Sequence, residues 1–132
     1  MKLYFDTSAL VKLVQHEAQS AALHRFVHRH RSDTRVTSAI ARTELIRALA
    51  ANGPDAINEA RRLLGNIEQV AVGIELLDAA ANLPAIPMLR SLDAIHLASA
   101  RTVVTGLRAV VTYDTRLAAA AEALGLPTAA PA

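Results

Sequence analysis

Four acidic residues stand at positions where a negative charge is unexpected. Asp6 follows the apolar stretch "LYF", and Asp114 follows "AVVT" across one tyrosine, so both come after a predicted buried strand. Glu44 and Asp93 fall on the apolar sides of two predicted helices when successive residues are spaced at about 100°. A carboxylate on an apolar surface is costly unless it is paired or binds a cation. A shared cause for all four would be a cluster of oxygen ligands around a hard cation.

Each acid also has an explanation of its own. Asp6 and Asp114 precede predicted helices, where an aspartate commonly caps the first turn. Asp93 lies in a first turn, where the helix dipole favours an anion, although this does not account for its inward face. Glu44 could form an ion pair with an arginine of its own helix. One metal site explains the four positions more simply than four separate causes.

An alternation of strand and helix patterns positions these acids. Strands separated by helices predict a central parallel sheet with helices on both faces, a three-layer α/β/α sandwich. In such sheets ligands bind beyond the carboxyl ends of the strands, where Asp6 and Asp114 fall. The predicted strands are Lys2 to Phe5, Arg35 to Thr37, Glu68 to Val72 and Ala109 to Thr112. The predicted helices are Ser8 to Gln15, Ala18 to Arg31, Ala39 to Ala51, Pro54 to Leu64, Ile74 to Ala81, Leu92 to Thr105 and Thr115 to Leu124.

Turn and capping signals complete the outline. The stretch "NLPAIPML" at 82–89 predicts a loop interrupted by prolines, and Ser91 predicts a cap for the helix that follows. The final residues "PTAAPA" predict a frayed end. We therefore expect one domain over residues 1–126 and a short C-terminal tail over residues 127–132.

The composition excludes several kinds of protein. A chain of 132 residues suits one hydrophobic core, and the absence of cysteine excludes disulfides and a thiol nucleophile. No stretch resembles a signal peptide or a membrane span, so a cytoplasmic protein is expected. There is no glycine-rich phosphate loop, and no evident arrangement of histidine and aspartate would make Ser8 part of an acyl-transfer triad. Metal-assisted hydrolysis is the chemistry that remains.

The charge balance is compatible with a nucleic-acid substrate. The chain has 14 Lys and Arg against 12 Asp and Glu, and four acids in a metal pocket would leave 14 against 8. A basic surface around an acidic pocket attracts phosphates while the pocket holds cations. Arg90 and Arg116 flank the two late acids and are candidates for binding RNA phosphates. Two Tyr, two Phe and no Trp make extensive base stacking improbable.

The histidines have simpler interpretations than a metal site. His24 and His28 have the i, i+4 spacing of Zn²⁺ ligands, but no third ligand is near them in the sequence, which favours a solvated basic helix end. His96 follows Asp93 by three positions on the same side of its helix. It is interpreted as a core histidine with a local hydrogen bond, the alternative being a residue that tunes Asp93.

Four segments together resemble a known family. "YFDTSALVKL" near the start, "TELIRA" at 43–48, "LDAIHLASA" at 92–100 and "VTYDTRLAAAA" at 111–121 resemble the acidic motifs of PIN-domain ribonucleases. More narrowly, they resemble VapC-type toxins of toxin–antitoxin pairs, over nearly the whole chain. The resemblance implies a compact α/β/α fold and Mg²⁺- or Mn²⁺-dependent endonuclease activity on RNA. It also implies a homodimer and a cognate VapB-like antitoxin that occludes the acidic pocket.

The resemblance implies a role for each acid. Asp6 and Asp93 match the first and third acids of the family, which are direct metal ligands. Glu44 matches the second acid, which lies at the edge of the site and holds a second metal ion or a metal-bound water. Asp114 matches the fourth, at which family members differ in the residue that supplies the acid. Ser8 occupies the small hydroxyl position, which hydrogen-bonds an acid or a phosphate.

Two other functions stay open. A haloacid-dehalogenase-like phosphatase would use Asp6 as its nucleophile, but it needs a second aspartate two residues later, where this chain has Ser8. The chain is also short for that fold plus a cap. A non-catalytic PIN-like module that binds RNA or protein would not need all four acids. An assay that compares cleavage of RNA with release of inorganic phosphate from small phosphomonoesters separates these alternatives.

Overall fold

The fold is built on a five-stranded parallel sheet. The computed structural model describes residues 1–84, 86 and 89–132. All four strand pairings are parallel, which confirms the prediction, and the order across the sheet is β3-β2-β1-β4-β5. The strands are β1 (Lys2–Phe5), β2 (Thr34–Ser38), β3 (Glu68–Val70), β4 (Leu107–Val111) and β5 (Thr128–Ala129).

Helices cover both faces of this sheet. They are α1 (Thr7–Val14), α2 (Ser20–Arg29), α3 (Ala41–Leu49), α4 (Pro54–Gly65), α5 (Ile74–Ala81), α6 (Ser91–Thr102) and α7 (Thr115–Ala123). The predicted ends differ from these by up to three residues, and the end of the third predicted helix is a 3₁₀ turn, Ala50–Asn52. No helix in the described part of the chain is long and apolar enough to cross a membrane.

The alternation of side chains along β1 divides the core into two layers. Leu3 and Phe5 pack on one face with apolar residues of α1, α3 and α4. Tyr4 points to the opposite face, where it packs with Leu97 of α6 and Leu117 of α7. Successive side chains of a strand project to opposite sides, so a fully buried strand serves both layers. The three-layer α/β/α sandwich predicted from the sequence is thus confirmed.

The central strand marks the point where the chain changes direction across the sheet. β1 lies between β2, which follows it in the chain, and β4, which comes much later. Such a switch point leaves a crevice at the carboxyl ends of the two strands, which is where ligands bind in this class of sheet. Asp6 and Thr112 are the first residues after β1 and β4. Both therefore border the crevice.

Two predicted details are wrong. The N-cap of α6 is Arg90 rather than Ser91, which is the first residue of the helix, and the Asp93 carboxylate accepts a hydrogen bond from the Arg90 backbone N–H at 3.3 Å. The end of the chain is not frayed, because β5 pairs with β4 and the Tyr113 hydroxyl donates to the Pro131 carbonyl at 2.7 Å. Three residues of the loop predicted at 82–89, at positions 85, 87 and 88, lie outside the described residues.

A bidentate ion pair fastens β4 to the turn before β2. Arg108 donates through Nε to Oδ2 of Asp33 and through Nη2 to Oδ1, the latter at 3.3 Å. This paired geometry is the favourable one for a guanidinium and a carboxylate. The Arg108 guanidinium holds the pKa of Asp33 below its ordinary value.

The Asp33→Asn variant should therefore lose stability at neutral pH but not in acid. Asp33 titrates near about 3.9 in the unfolded chain and below that in the folded one. The stability that the pair contributes is complete above the unfolded pKa and is lost as the pH falls through the folded pKa. Urea midpoints of the wild type and the variant should differ at pH 7 and converge as the pH falls below about 3.9. A constant difference across that range would contradict this assignment.

Candidate active site

Asp6 is enclosed at the end of the central strand. Its side chain is 4% exposed, and it caps α1 by accepting a hydrogen bond from the Ala9 N–H at 3.1 Å. The Ser8 hydroxyl donates to Oδ1 at 2.7 Å, and the Thr112 hydroxyl donates to Oδ2 at 2.5 Å. Ser8 therefore hydrogen-bonds an acid, which is one of the two roles that the family resemblance implies. Both carboxylate oxygens of Asp6 are held in fixed positions.

Asp6 has no cationic partner in direct contact among the described residues, although the more distant charge of His96 acts on it. Burial raises the pKa of Asp6 above its ordinary value, although the hydrogen bonds from Ser8 and Thr112 oppose that shift. Among the described residues, no lysine, arginine or histidine forms a salt bridge with it. A buried carboxylate with hydroxyl partners and no counter-ion is electrostatically suited to bind a cation.

A chain of hydrogen bonds connects Glu44 of α3 to the core. Its Oε1 atom accepts from the Thr7 hydroxyl at 2.8 Å and lies 2.6 Å from Nε2 of His96. The other ring nitrogen of His96 lies 2.7 Å from the Tyr4 hydroxyl. Because an ionised carboxylate only accepts hydrogen bonds, Nε2 of His96 must carry a proton and donate a hydrogen bond to Glu44. The partner of Glu44 is thus a histidine of α6, not an arginine of its own helix.

This chain keeps Glu44 ionised. Burial raises the pKa of Glu44, but the hydrogen bond and charge of His96, with the Thr7 hydroxyl, outweigh burial and leave the pKa below its ordinary value. Burial also raises the pKa of Tyr4, and the negative charges of Asp6 and Glu44 raise it further. Tyr4 therefore remains a neutral hydroxyl that both carboxylates influence.

The structure confirms His96 as a core histidine, but its hydrogen-bond partners are distant in the chain rather than local. Its partners are Tyr4 and Glu44, which are 92 and 52 residues away in the chain, rather than local groups or Asp93. The imidazole is 4% exposed and sits where α6 crosses the carboxyl end of the sheet. It links the two helical layers at the crevice.

Asp93 and Asp114 both serve helix starts. Oδ2 of Asp93 accepts from the backbone N–H and the Nε–H of Arg90, and its side chain is 14% exposed. Oδ1 of Asp114 accepts from the N–H groups of Arg116 and Leu117 at 2.9 and 3.3 Å. In each carboxylate the second oxygen accepts no hydrogen bond from the described residues. Capping accounts for one oxygen of each acid and leaves the other available.

The acids do not form a closed metal cage. Across residues 1–84, 86 and 89–132, no three side chains of Asp, Glu or His approach closely enough to hold a metal ion. Mg²⁺ nevertheless usually keeps several waters and takes only one or two protein carboxylates. Asp6 supplies a buried anionic oxygen pair without a counter-ion, and Glu44 supplies an oxygen, Oε2, without a hydrogen bond from the described residues. These residues fit an ion that binds largely through water.

Comparison with known proteins decides the family. Residues 3–123 match the PIN domain family. The chain belongs to the PIN domain family. Ribonuclease VapC46 of Mycobacterium tuberculosis (strain ATCC 25618 / H37Rv) is 43% identical over 98% of this chain and 97% of its own length. Ribonuclease VapC35 of Mycobacterium tuberculosis (strain CDC 1551 / Oshkosh) is 42% identical over 98% of this chain and 96% of its own.

A solved structure shares the fold. The crystal structure of Mycobacterium tuberculosis VapC20, described as a sarcin-ricin loop cleaving toxin, superposes with a TM-score of 0.73. The match covers 98% of this chain and 99% of the other at 19% identity. Membership of the PIN domain family leaves two of the sequence-based functions to separate, an endoribonuclease and a non-catalytic binding module.

The Thr112 hydroxyl of this PIN domain was missed by sequence reasoning, whereas Ser8 was singled out. Thr112 donates to Asp6 and accepts from the Asp114 N–H at 3.1 Å, while the Tyr113 N–H donates to Ser8 at 2.9 Å. A signal was present, because a hydroxyl residue stands at the end of β4, two positions before an acid. These bonds join the ends of β1 and β4 across the crevice of the PIN domain.

Thr112→Val should destabilise the metal-free protein. Valine has nearly the same shape, but it leaves Oδ2 of Asp6 and the N–H of Asp114 without their shared partner. Removing one partner of a buried hydrogen bond costs about 1–3 kcal/mol. Urea unfolding in EDTA measures the change, with the exposed strand residue Thr34→Val as the matched control, expected within about 0.5 kcal/mol of the wild type. Equal stability of the two variants would contradict the role given to Thr112.

Proposed function

We propose that this protein is a Mg²⁺- or Mn²⁺-dependent endoribonuclease and the toxin of a VapBC-type toxin–antitoxin pair. The observation that carries the proposal is the buried Asp6 carboxylate, which has hydroxyl partners and no counter-ion at the crevice of the sheet. The ribonuclease names of its relatives support it. A non-catalytic module would gain nothing from an uncompensated buried charge.

The ion would be held by Asp6 and Asp93, with Glu44 and Asp114 at the edges of the site. When bound, Mg²⁺ or Mn²⁺ supplies an activated water for attack on phosphorus and neutralises charge on the leaving oxygen. The protein's own groups prepare the acids for this. Ser8 and Thr112 fix the orientation of Asp6, while Thr7 and His96 keep Glu44 ionised and hold one of its oxygens.

Incubation of the purified protein with mixed RNA tests the activity. We expect endonucleolytic fragments with Mn²⁺ or Mg²⁺, none with EDTA, and no inorganic phosphate from small phosphomonoesters. RNA that is bound but left intact in the presence of either metal would favour the binding module instead. Release of phosphate from monoesters would favour phosphatase chemistry.

The partner proteins are proposed on the same basis. The antitoxin would be encoded beside this gene, and its co-expression should suppress RNA cleavage. A homodimer has a suitable surface in the exposed apolar side chains of α5 and the start of α6, Ile74, Leu77 and Leu92, of which Ile74 is 79% exposed. Light scattering should give twice the chain mass for the wild type and a lower mass for Ile74→Glu. A cytoplasmic location stays a prediction.

A further inference from the structure

An open groove between α3 and α4 has a concentration of arginines. Its volume is about 580 Å³. We call it the arginine groove, and its lining residues are Arg42, Thr43, Ile46, Arg47, Arg61 and Leu64. Neither helix contributes a carboxylate to this lining. Three positive charges therefore face one space.

The three arginines of the groove are not neutralised by the protein. Among the described residues, none of them forms a salt bridge, and Arg42 only contacts the side-chain oxygen of Gln69 at 3.5 Å. Arg62, the neighbour of Arg61 on α4, pairs instead with Glu59 one turn earlier. Clustered like charges repel one another, and a surface concavity focuses their field on a polyanion. The groove is thus prepared for an anionic ligand.

The groove and the acidic site both use residues of α3, on which Glu44 and the groove residue Arg47 are neighbours at i, i+3. Thr43 and Arg47 are one turn apart, as are Arg42 and Ile46, so these four residues share one side of the helix. Glu44 follows Thr43 directly and points into the crevice, toward Thr7 and His96. A ligand in the groove therefore lies beside the helix that carries an acid of the site.

The chemistry of the lining suits a nucleic-acid backbone. A guanidinium presents a planar fork of donors that matches phosphate oxygens, and several spaced guanidiniums match a regularly charged polymer. The partly exposed Ile46 adds apolar surface beside the charges, which can contact a sugar or the face of a base. The Thr43 hydroxyl supplies one further hydrogen-bonding group.

We propose that the arginine groove binds the phosphate backbone of the RNA substrate, on one side of the bond that the acidic site cleaves. The proposal rests on the endoribonuclease function proposed above and names where the substrate extends. An acidic protein segment would also be attracted to three arginines. RNA is favoured because α3 carries both groove arginines and an acid of the proposed nuclease site, so a polymer that extends along this helix would contact both.

Binding measurements with charge-matched variants test the groove. Arg47→Gln, Arg61→Gln and the double variant are compared with Arg62→Gln, which removes the same charge from the same helix outside the groove. Fluorescence anisotropy with a labelled single-stranded RNA of mixed sequence, in EDTA, reports binding without cleavage. Each single groove variant should bind RNA about 3- to 10-fold more weakly near 0.1 M salt. The slope of log K against the logarithm of the salt concentration should become shallower by about 0.7, the value for one lost phosphate contact on a single strand. Arg62→Gln should change binding less than about 2-fold.

The outcomes separate this proposal from the proposed function. With metal present, the groove variants should raise KM for RNA and leave kcat unchanged. If no protein cleaves RNA but the groove variants bind it more weakly, the endoribonuclease function fails while the groove assignment stands. Groove variants whose affinity for RNA equals that of the control variant Arg62→Gln would overturn the assignment. Groove variants that bind RNA as tightly as the wild type but are no longer inhibited by the co-expressed antitoxin would also overturn it. In that case the groove would bind the antitoxin rather than RNA. Thermal unfolding confirms that each variant is folded.

Discussion

Asp6→Asn is expected to lower RNA cleavage at least about 100-fold while the protein stays folded. Even the loss of a group that only hydrogen-bonds a metal ligand typically lowers metal affinity or activity by about 10- to 100-fold. Asparagine keeps the shape of aspartate, and its amide oxygen can still accept from Ser8 and from the Ala9 N–H. What disappears is the negative charge that a cation requires. Asp78→Asn, the same change at an exposed position of α5, is the matched control and should retain full activity.

The stability of Asp6→Asn provides a second measurement. Burial disfavours the ionised carboxylate, so its removal should not lower the urea midpoint in EDTA. A ligand that binds only the folded state raises its stability, and added Mg²⁺ should therefore raise the midpoint of the wild type but not of the variant. Full cleavage activity in the purified variant, or the same increase of its urea midpoint with Mg²⁺ as in the wild type, would contradict the assignment of Asp6 as a metal ligand.

Asp93→Asn is expected to cause the second large loss, again about 100-fold. The amide oxygen of asparagine can still accept from the Arg90 N–H at the start of α6. The lost ion pair contributes little, because the Arg90 side chain is solvent-exposed and such pairs are worth about 0–1 kcal/mol. Stability should thus change by less than about 1 kcal/mol, so activity and folding are separated in this variant.

The control for Asp93→Asn is another first-turn acid. Asp55 lies in the first turn of α4, and it is exposed to solvent. Asp55→Asn removes a similar interaction with a helix dipole and should leave cleavage unchanged. Should Asp93→Asn cleave as fast as Asp55→Asn, the Asp93 carboxylate would serve only the helix. The matching role of Asp114 stays a prediction that Asp114→Asn tests in the same assay.

The layered fold was predictable because its signals are local. Strand and helix periodicities follow from short stretches, and their alternation indicates a parallel sheet. The positions of Asp6 and Asp114 after two strands then placed them at one edge of that sheet. β5 escaped notice because a two-residue strand next to prolines has no periodicity to detect. The cap of α6 was misassigned because the helix begins one residue earlier than expected: Ser91 is its first residue, and the Asp93 carboxylate accepts a hydrogen bond from the N–H of the N-cap residue Arg90.

Contacts between distant residues could not be predicted in this way. The hydrogen bonds that join His96 with Tyr4 and Glu44 depend on how α3 and α6 approach β1 from opposite layers. The arginine groove depends on the packing of α3 against α4, which brings Arg61 beside residues of another helix. Sequence reasoning favoured Arg90 and Arg116 only because they stand next to acids in the chain. Arg90 proves to be engaged by Asp93, and its contact with RNA, like that of Arg116, stays a prediction.

The bond from Thr112 to Asp6 spans 106 positions of the chain, and this has a consequence for synthesis. On the ribosome β1 is made first, whereas β4, which completes its second edge, is among the last segments to be translated. Until then Asp6 lacks one of the groups that orient it. In a nascent chain the Asp6 carboxylate therefore stays without its full set of hydrogen bonds until translation is nearly finished.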